Sequence, residues 1–215
     1  MKIAVDLDGV CYEFEKTARY MLREYRGCTG LETESTHWDW ISERVSDVDW
    51  EWLWNDGVAL GLFRFGHCVR GSINGLRQLR DAGHSLLAVT HRPSRAVPDT
   101  LAWLAYNGIP WSEVHILSDG QSKSTIKADI LIDDKPENVD DWVNGVKALL
   151  FDRSWNQEYS DNTWVKRVFG WKGVIDAVRS EGAGRDRGIV LEDAQASYER
   201  WRNKAQSWDK GVLEG

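Results

Sequence analysis

The sequence predicts an α/β fold with a central parallel sheet and helices on both faces, and three observations predict it. First, short apolar runs without polar interruption recur along the chain: Ile3 to Val5, Leu86 to Val89, Ile130 to Ile132, and, after Lys147, Ala148 to Phe151. Strands buried on both faces of a parallel sheet read this way, whereas half-solvated strands alternate. Second, the runs are separated by stretches of helical periodicity, the strand–helix alternation of a parallel sheet. Third, each of the first three runs ends in a polar residue, Asp6, Thr90 and Asp133, at the strand end where open α/β sheets place their ligands.

The elements follow in order. After the first strand come Asp6 and Asp8, and Gly9 lets the chain turn away. From Glu13 to Tyr25, Phe14, Ala18, Met21, Leu22 and Tyr25 share one helical face, and Gly27 and Gly30 end the helix. Residues 29–66 read as a small, mostly helical or irregular aromatic insertion after the first strand. Five of the chain's thirteen tryptophans, Trp38, Trp40, Trp50, Trp52 and Trp54, fall within it. They imply either a core packed with indoles or a lid offering rings to a flat ligand; most are expected in the core, with one or two facing outward to a substrate. A helix from Ser72 to Ala82 closes at Gly83, and the strand to Thr90 follows. Pro93 to Pro98 reads as a loop, 99–107 as a helix stopped by Gly108, and Val114 to Leu117 as a strand. The strand ending at Asp133 and the Lys147 to Phe151 strand are joined by a short helix from Val139.

These boundaries give a core domain of residues 1–28 and 67–180, the insertion of 29–66, and a glycine-containing linker of 181–188. The last stretch, 189–215, places Leu191, Ala194, Tyr198, Trp201, Ala205, Trp208 and Val212 at alternating spacings of three and four. That is the seam of a C-terminal amphipathic helix of about five or six turns. Its seam must be covered by the chain's own domain or by a second copy in a homodimer.

A net charge of −7 argues against a nucleic-acid binder, which needs clustered Lys and Arg, but not against a small anion held by local charges. Three cysteines, Cys11, Cys28 and Cys68, have no metal-like spacing and suit a reducing cytoplasm; no run reaches the length of a membrane span. Cys11 reads as a small buried apolar residue.

Two carboxylates at one strand end repel unless a cation or proton lies between them, and an all-oxygen site suits Mg²⁺. The Asp6-Leu7-Asp8-Gly9-Val10 run, the strand ending in Thr90, Lys123, and the strand ending in Asp133-Asp134 together resemble the four motifs of the haloacid dehalogenase (HAD) superfamily of phosphohydrolases. The resemblance covers about residues 1 to 155 and implies a HAD-like Rossmannoid three-layer fold. Phe14, eight positions after Asp6, with Ser122-Lys123-Ser124, Ile132-Asp133-Asp134-Lys135-Pro136 and Leu150-Phe151-Asp152-Arg153-Ser154-Trp155-Asn156, is similar to the deoxyribonucleotidase group. The His91-Arg92-Pro93 run and residues 29–66 depart from that group's pattern.

The resemblance implies that Asp6 attacks phosphorus, that Asp8 serves as acid and then base, and that Thr90 and Lys123 hold the phosphoryl oxygens. Lys127 and Lys135 are rivals for the role of Lys123. The metal set is Asp6, Asp8, Asp133 and Asp134. Strand alternation does not choose between the last two, while similarity to the nucleotidases favours Asp134 as the direct ligand. Gly9, Phe14, His91, Arg92 and Lys135 are the candidate substrate contacts; Arg92 is equally readable as a solvated loop residue. The partner is then a small phosphate ester, a nucleoside monophosphate. Rival readings are a phosphatase acting on polynucleotide ends, disfavoured by the acidic balance, and a non-catalytic binding or assembly module, disfavoured by the intact set of Asp6, Asp8, Thr90, Lys123 and Asp134.

Overall fold

The computed structural model describes residues 1–182 other than 110, 119 and 143–145. It divides into two compact units, Met1–Ile175 and Asp176–Gly215. In the second unit residues 176–182 are helical, so 181 and 182 are helix where a linker is expected. The rest of the linker and the whole seam from Leu191 to Val212 lie outside the described residues.

The first unit is built on six parallel strands: β1 (Lys2–Val5), β2 (Ser85–His91), β3 (Glu113–Leu117), β4 (Ile130–Asp133), β5 (Lys147–Phe151) and β6 (Val165–Val168), ordered β3-β2-β1-β4-β5-β6. The register aligns Ala4 with Leu87 and Leu131, Leu131 with Ala148, and Ala148 with Val165. One face of the sheet is thus an apolar layer, which packs against Val139 and Trp142. Ile3, Val5, Leu86, Ala88, Ile130 and Ile132 alternate onto the other face and are also buried. That two-sided burial is why the strands read as continuous apolar runs. Strand order reverses between β1 and β4, the place where open α/β sheets form a crevice at their carboxyl ends.

Between the strands lie helices α1 (Phe14–Arg26), α2 (Asp47–Trp52), α3 (Ser72–Asp81), α4 (Val97–Asn107) and α5 (Pro136–Trp142). Gly27, in the left-handed conformation, ends α1 by donating to the Arg23 carbonyl. Two helices begin earlier than their periodicity suggests. Pro98 lies in the first turn of α4 rather than in a loop, and Pro136 opens α5 three residues before Val139. Proline costs nothing at these positions, where a helix has no use for the backbone N–H. Strand β6 is a further departure: its Val165-Lys166-Arg167-Val168 sequence is half charged because it closes the sheet edge.

The insertion has no core of its own apart from α1. Leu31, Trp40, Ile41, Leu53, Val58, Leu62 and Phe63 form one cluster with Ala18, Met21 and Leu22 of α1 and with Ala96. Ser46 caps α2 by accepting from the Asp49 N–H, and the helix runs on through a π-turn at Leu53–Gly57. Trp40 is buried beneath Arg44 and Arg19, whose guanidinium carbons lie 3.9 and 4.4 Å from its ring centroid. Arg19 also donates to the carbonyls of Leu31 and Thr33, tying the insertion to α1.

Candidate active site

The loop after β1 is wound tightly enough to aim both aspartates at the crevice. The Leu7 carbonyl accepts from the N–H groups of Cys11 and Tyr12 at 2.8 and 2.7 Å, and Trp171 Nε1 holds the Val10 carbonyl at 2.9 Å. Gly9 turns the chain at φ +78°, and a Cβ there would lie 1.9 Å from Asp134 Oδ2. Only glycine permits the β1 and β4 loops to come this close.

Asp6, Asp133, Asp134 and Lys123 meet at the ends of β1 and β4, all buried. Lys123 Nζ lies 2.9 Å from Asp6 Oδ1 and 2.6 Å from Asp133 Oδ2. It is presented by a short 3-10 turn, Lys123–Thr125, which Ser122 caps. Its rivals are elsewhere: Lys127 is exposed, and the Lys135 ammonium lies over the Trp38 ring at 4.5 Å. Burial works against the Lys123 charge, but Asp133 and then Asp6 outweigh it and raise its pKa above the ordinary 10.5. Burial, chiefly, also pushes Asp6 from 3.8 up to about 7, with Lys123 opposing and Asp133 and Asp8 adding to it. Asp134 is raised well above 3.8 by burial and then by the Asp133 and Asp6 charges.

The two adjacent carboxylates at β4 differ sharply. Asp133 accepts from Lys123, from the Lys135 N–H at 2.9 Å, and from Asn138 Nδ2 at 3.1 Å to each oxygen. Asp134 Oδ1 has no partner among the described residues although it is buried, and its side chain lines the cavity. Asn156 Nδ2 holds the Asp134 carbonyl at 2.8 Å and the Phe151 carbonyl at 2.9 Å, fixing β4 against β5. Arg153 donates through Nε and Nη2 to the Gly9 carbonyl.

This donor set fits a divalent cation. Asp6, Asp133 and Asp134 each offer an oxygen, all within 4.8 Å of one another. Three buried carboxylates against one buried ammonium leave two negative charges, which protons or a hard dication must neutralise. The Asp8 carboxylate lies outside this cluster. Arg92 forks onto it, Nε to Oδ2 at 2.8 Å and Nη2 to Oδ1 at 2.7 Å, while Thr90 Oγ1 stands 3.5 Å from Oδ2.

Above the carboxylates opens a cavity of about 1000 Å³, walled by the β-strand loops on one side and the insertion on the other. Asp6, Asp8, Gly9, Phe14, Thr90, His91, Lys123, Asp134 and Lys135 all line it. Arg92 does not, contrary to its expected role as a substrate contact: its side chain is fully buried and committed to Asp8 and Thr100. Phe14 stacks on Trp54 and on Phe63, each at 5.7 Å between centroids. Trp38, Trp50 and Trp54 reach the cavity, one more than the sequence suggests, and Trp40 is core. Cys11 is wholly buried, and burial raises its thiol pKa well above 9.0. Asn138 and Arg167, which binds Asp152 and Asn156 at 2.9 and 2.7 Å, support the site without having been legible as site residues.

A parallel sheet of this order, with an aspartate pair after β1, a hydroxyl after β2, and a lysine and acidic pair around β4, defines the HAD-like hydrolase class. Solved structures agree at the level of fold: a HAD-like family hydrolase from Xanthomonas campestris (TM-score 0.57, 11% identity, 86% of this chain and 98% of that one), and L-2-haloacid dehalogenase from Xanthobacter autotrophicus (TM-score 0.55, 14% identity, 83% and 98%). Within that class, the family described as 5′ nucleotidase, deoxy (pyrimidine), cytosolic type C protein matches residues 1–181, and the chain belongs to it. A Chlorobaculum tepidum protein named "Putative 5′(3′)-deoxyribonucleotidase" is 29% identical over 199 residues, covering 83% of this chain and 90% of its own length. The chain is accordingly a nucleotidase-like phosphatase of the HAD superfamily.

Proposed function

We propose that the protein is a Mg²⁺-dependent phosphomonoesterase that works through an aspartyl-phosphate on Asp6 and acts on nucleoside monophosphates, in the cytoplasm. The observation that carries this reading is the division of labour among the carboxylates. Asp6 and Asp134 face the cavity beside Lys123, whereas Asp8 stands apart with its side chain 22% exposed to the cavity. In the first step an Asp6 oxygen forms a bond to phosphorus as the bond from phosphorus to the leaving oxygen breaks. Asp8, protonated at this stage, gives its proton to that oxygen. In the second step Asp8 takes a proton from water, the water oxygen bonds to phosphorus, and the bond from phosphorus to Asp6 breaks.

Lys123 and Thr90 hold the phosphoryl oxygens, and Lys123 keeps a full positive charge there despite its burial. Asp6, Asp134 and the Asp8 carbonyl would hold Mg²⁺, with Asp133 behind them orienting Lys123. The ion supplies charge withdrawal from the transferring phosphoryl group. Phe14, Trp54 and Trp50 offer aromatic surface for a base, and Glu32, Glu34 and Asp39 on the same wall disfavour a polyanionic strand. A phosphate-release screen tests the reading across nucleoside monophosphates, sugar phosphates and 3′-phosphorylated oligonucleotides, with excess chelator and Asp6→Asn as controls. Monophosphates should lead, and both controls should abolish release. Undiminished turnover in Asp6→Asn would refute the mechanism.

A further inference from the structure

Arg92 is the most deeply buried cation at the mouth of the sheet whose partner is not part of the Asp6–Asp133–Asp134 cluster. Its side chain is 0% exposed, and its guanidinium spends Nε and Nη2 on the two Asp8 oxygens. Nη1 donates to Thr100 Oγ1 at 3.1 Å, and Thr100 donates in turn to the Ala96 carbonyl at 2.8 Å, so α4 fixes the third corner of the group. The rings of Phe63 and Tyr12 lie 4.5 and 5.0 Å from its Cζ. A guanidinium held at both flanks and on three nitrogens cannot follow a moving partner. The partner conforms to it.

Burying an arginine this completely is costly unless its charge is paired and its donors are met, as Asp8 and Thr100 meet them here. A fork also does what a point charge does not: it fixes both the direction and the plane of the carboxylate. Oδ2 also accepts from Thr90 Oγ1 at 3.5 Å, whereas Oδ1 keeps a second lone pair outside the fork, available for a proton. We propose that Arg92 is a positioning residue, which holds the Asp8 carboxyl in the one orientation from which it can pass a proton to the leaving oxygen and later take one from water. Arg92 is fully buried and does not line the cavity, so it acts through Asp8. This inference rests on the proposed role of Asp8.

The test separates positioning from a merely structural ion pair by the leaving group. A nucleoside monophosphate releases an alkoxide that needs a proton, so Asp8 must be in place for both steps. p-Nitrophenyl phosphate releases a phenolate that leaves without one, so Asp8 is needed only for the second. In Arg92→Lys, which keeps the charge and loses the fork, nucleotide turnover should fall about 100-fold with KM little changed. The pre-steady-state burst of nitrophenolate should keep its wild-type rate and be followed by a slow steady state. Asp8→Asn should give the same burst-and-stall pattern, and the double variant should be no slower than Asp8→Asn alone. Equal losses in the burst and in nucleotide turnover, or additive losses in the double variant, would overturn the inference. If Arg92→Lys does not fold, Thr100→Val removes the third corner and should lower nucleotide turnover several-fold without touching the burst; an unchanged ratio there overturns the inference too. Nucleotide turnover that ignores Asp8→Asn would instead remove the proposed function itself.

Discussion

Stripping divalent cations should make this protein lose stability as pH rises from about 5.5 to about 8, and Mg²⁺ should reverse that trend. The cause is the buried carboxylate cluster. Asp6 is raised in the folded state to about 7, so folding takes up a proton that the unfolded chain, at its ordinary 3.8, releases. A group raised in this way contributes stability that is fully present below the unfolded value and is lost as pH climbs through the folded one. Over the stated interval the Asp6 contribution falls by about 2 kcal/mol, and Asp134, raised for the same reason, acts in the same direction. For a chain of this length that corresponds to a fall in Tm of about 4–8 °C. Mg²⁺ competes with the protons for the same oxygens, so its stabilisation should be larger at the upper end of the interval. The assay is thermal melting in excess chelator and in millimolar Mg²⁺, with Asp6→Asn run beside the wild type to subtract every other titrating group. His84, whose pKa burial lowers, slopes the opposite way at acid pH and cancels in that comparison. Identical pH slopes for wild type and Asp6→Asn in chelator would refute the reasoning.

Gly9→Ala should cost about 1–2 kcal/mol for the left-handed backbone alone and should weaken Mg²⁺-dependent stabilisation further, because the new methyl takes the space of the Asp134 carboxylate; an unchanged Mg²⁺ titration of Tm would contradict this. Lys123→Ala leaves Asp6 and Asp133 buried with no cation between them, and should destabilise the chelated protein by about 3–5 kcal/mol at neutral pH, measured by urea unfolding, with much of the loss recovered on acidification. Phe14→Ala should weaken kcat/KM for nucleoside monophosphates by about 1–3 kcal/mol and for p-nitrophenyl phosphate by less; equal losses would make Phe14 a packing residue of the Trp54 and Phe63 cluster and nothing more.

The central strands were legible because burial on both faces removes polar alternation, and the ends of β1 and β4 were marked by Asp6 and Asp133. Asp6, Thr90 and Asp133 could be read as a group for the same reason. A parallel sheet carries all its strand ends to one side, so residues 43 to 127 positions apart come to the same side without any long-range reasoning. Strand β6 escaped because its Lys166 and Arg167 break the apolar run, and its pairing with β5 is decided by the sheet edge it closes. The early starts of α4 and α5 escaped because proline reads as a breaker, although at the first turn of a helix it is favourable.

Inside the site, a sequence announces what a strand end offers but not the direction in which each side chain spends itself. Asp133 and Asp134 are chemically identical neighbours, and their separation into a saturated carboxylate and one with a free oxygen depends on Asn138, Lys135 and Lys123 arriving on the same side. Arg92 is the clearer case. Two residues after Thr90, it reads equally well as a substrate contact or as a solvated loop residue, since nothing local says that Asp8, Thr100, Tyr12 and Phe63 converge around it. Those four come from the β1 loop, α4 and the insertion, which meet around the guanidinium only in the folded chain. A charge that would be indifferent on the surface becomes a fixed reference for the Asp8 carboxyl, because its surroundings leave the guanidinium no second arrangement in which all its donors are met.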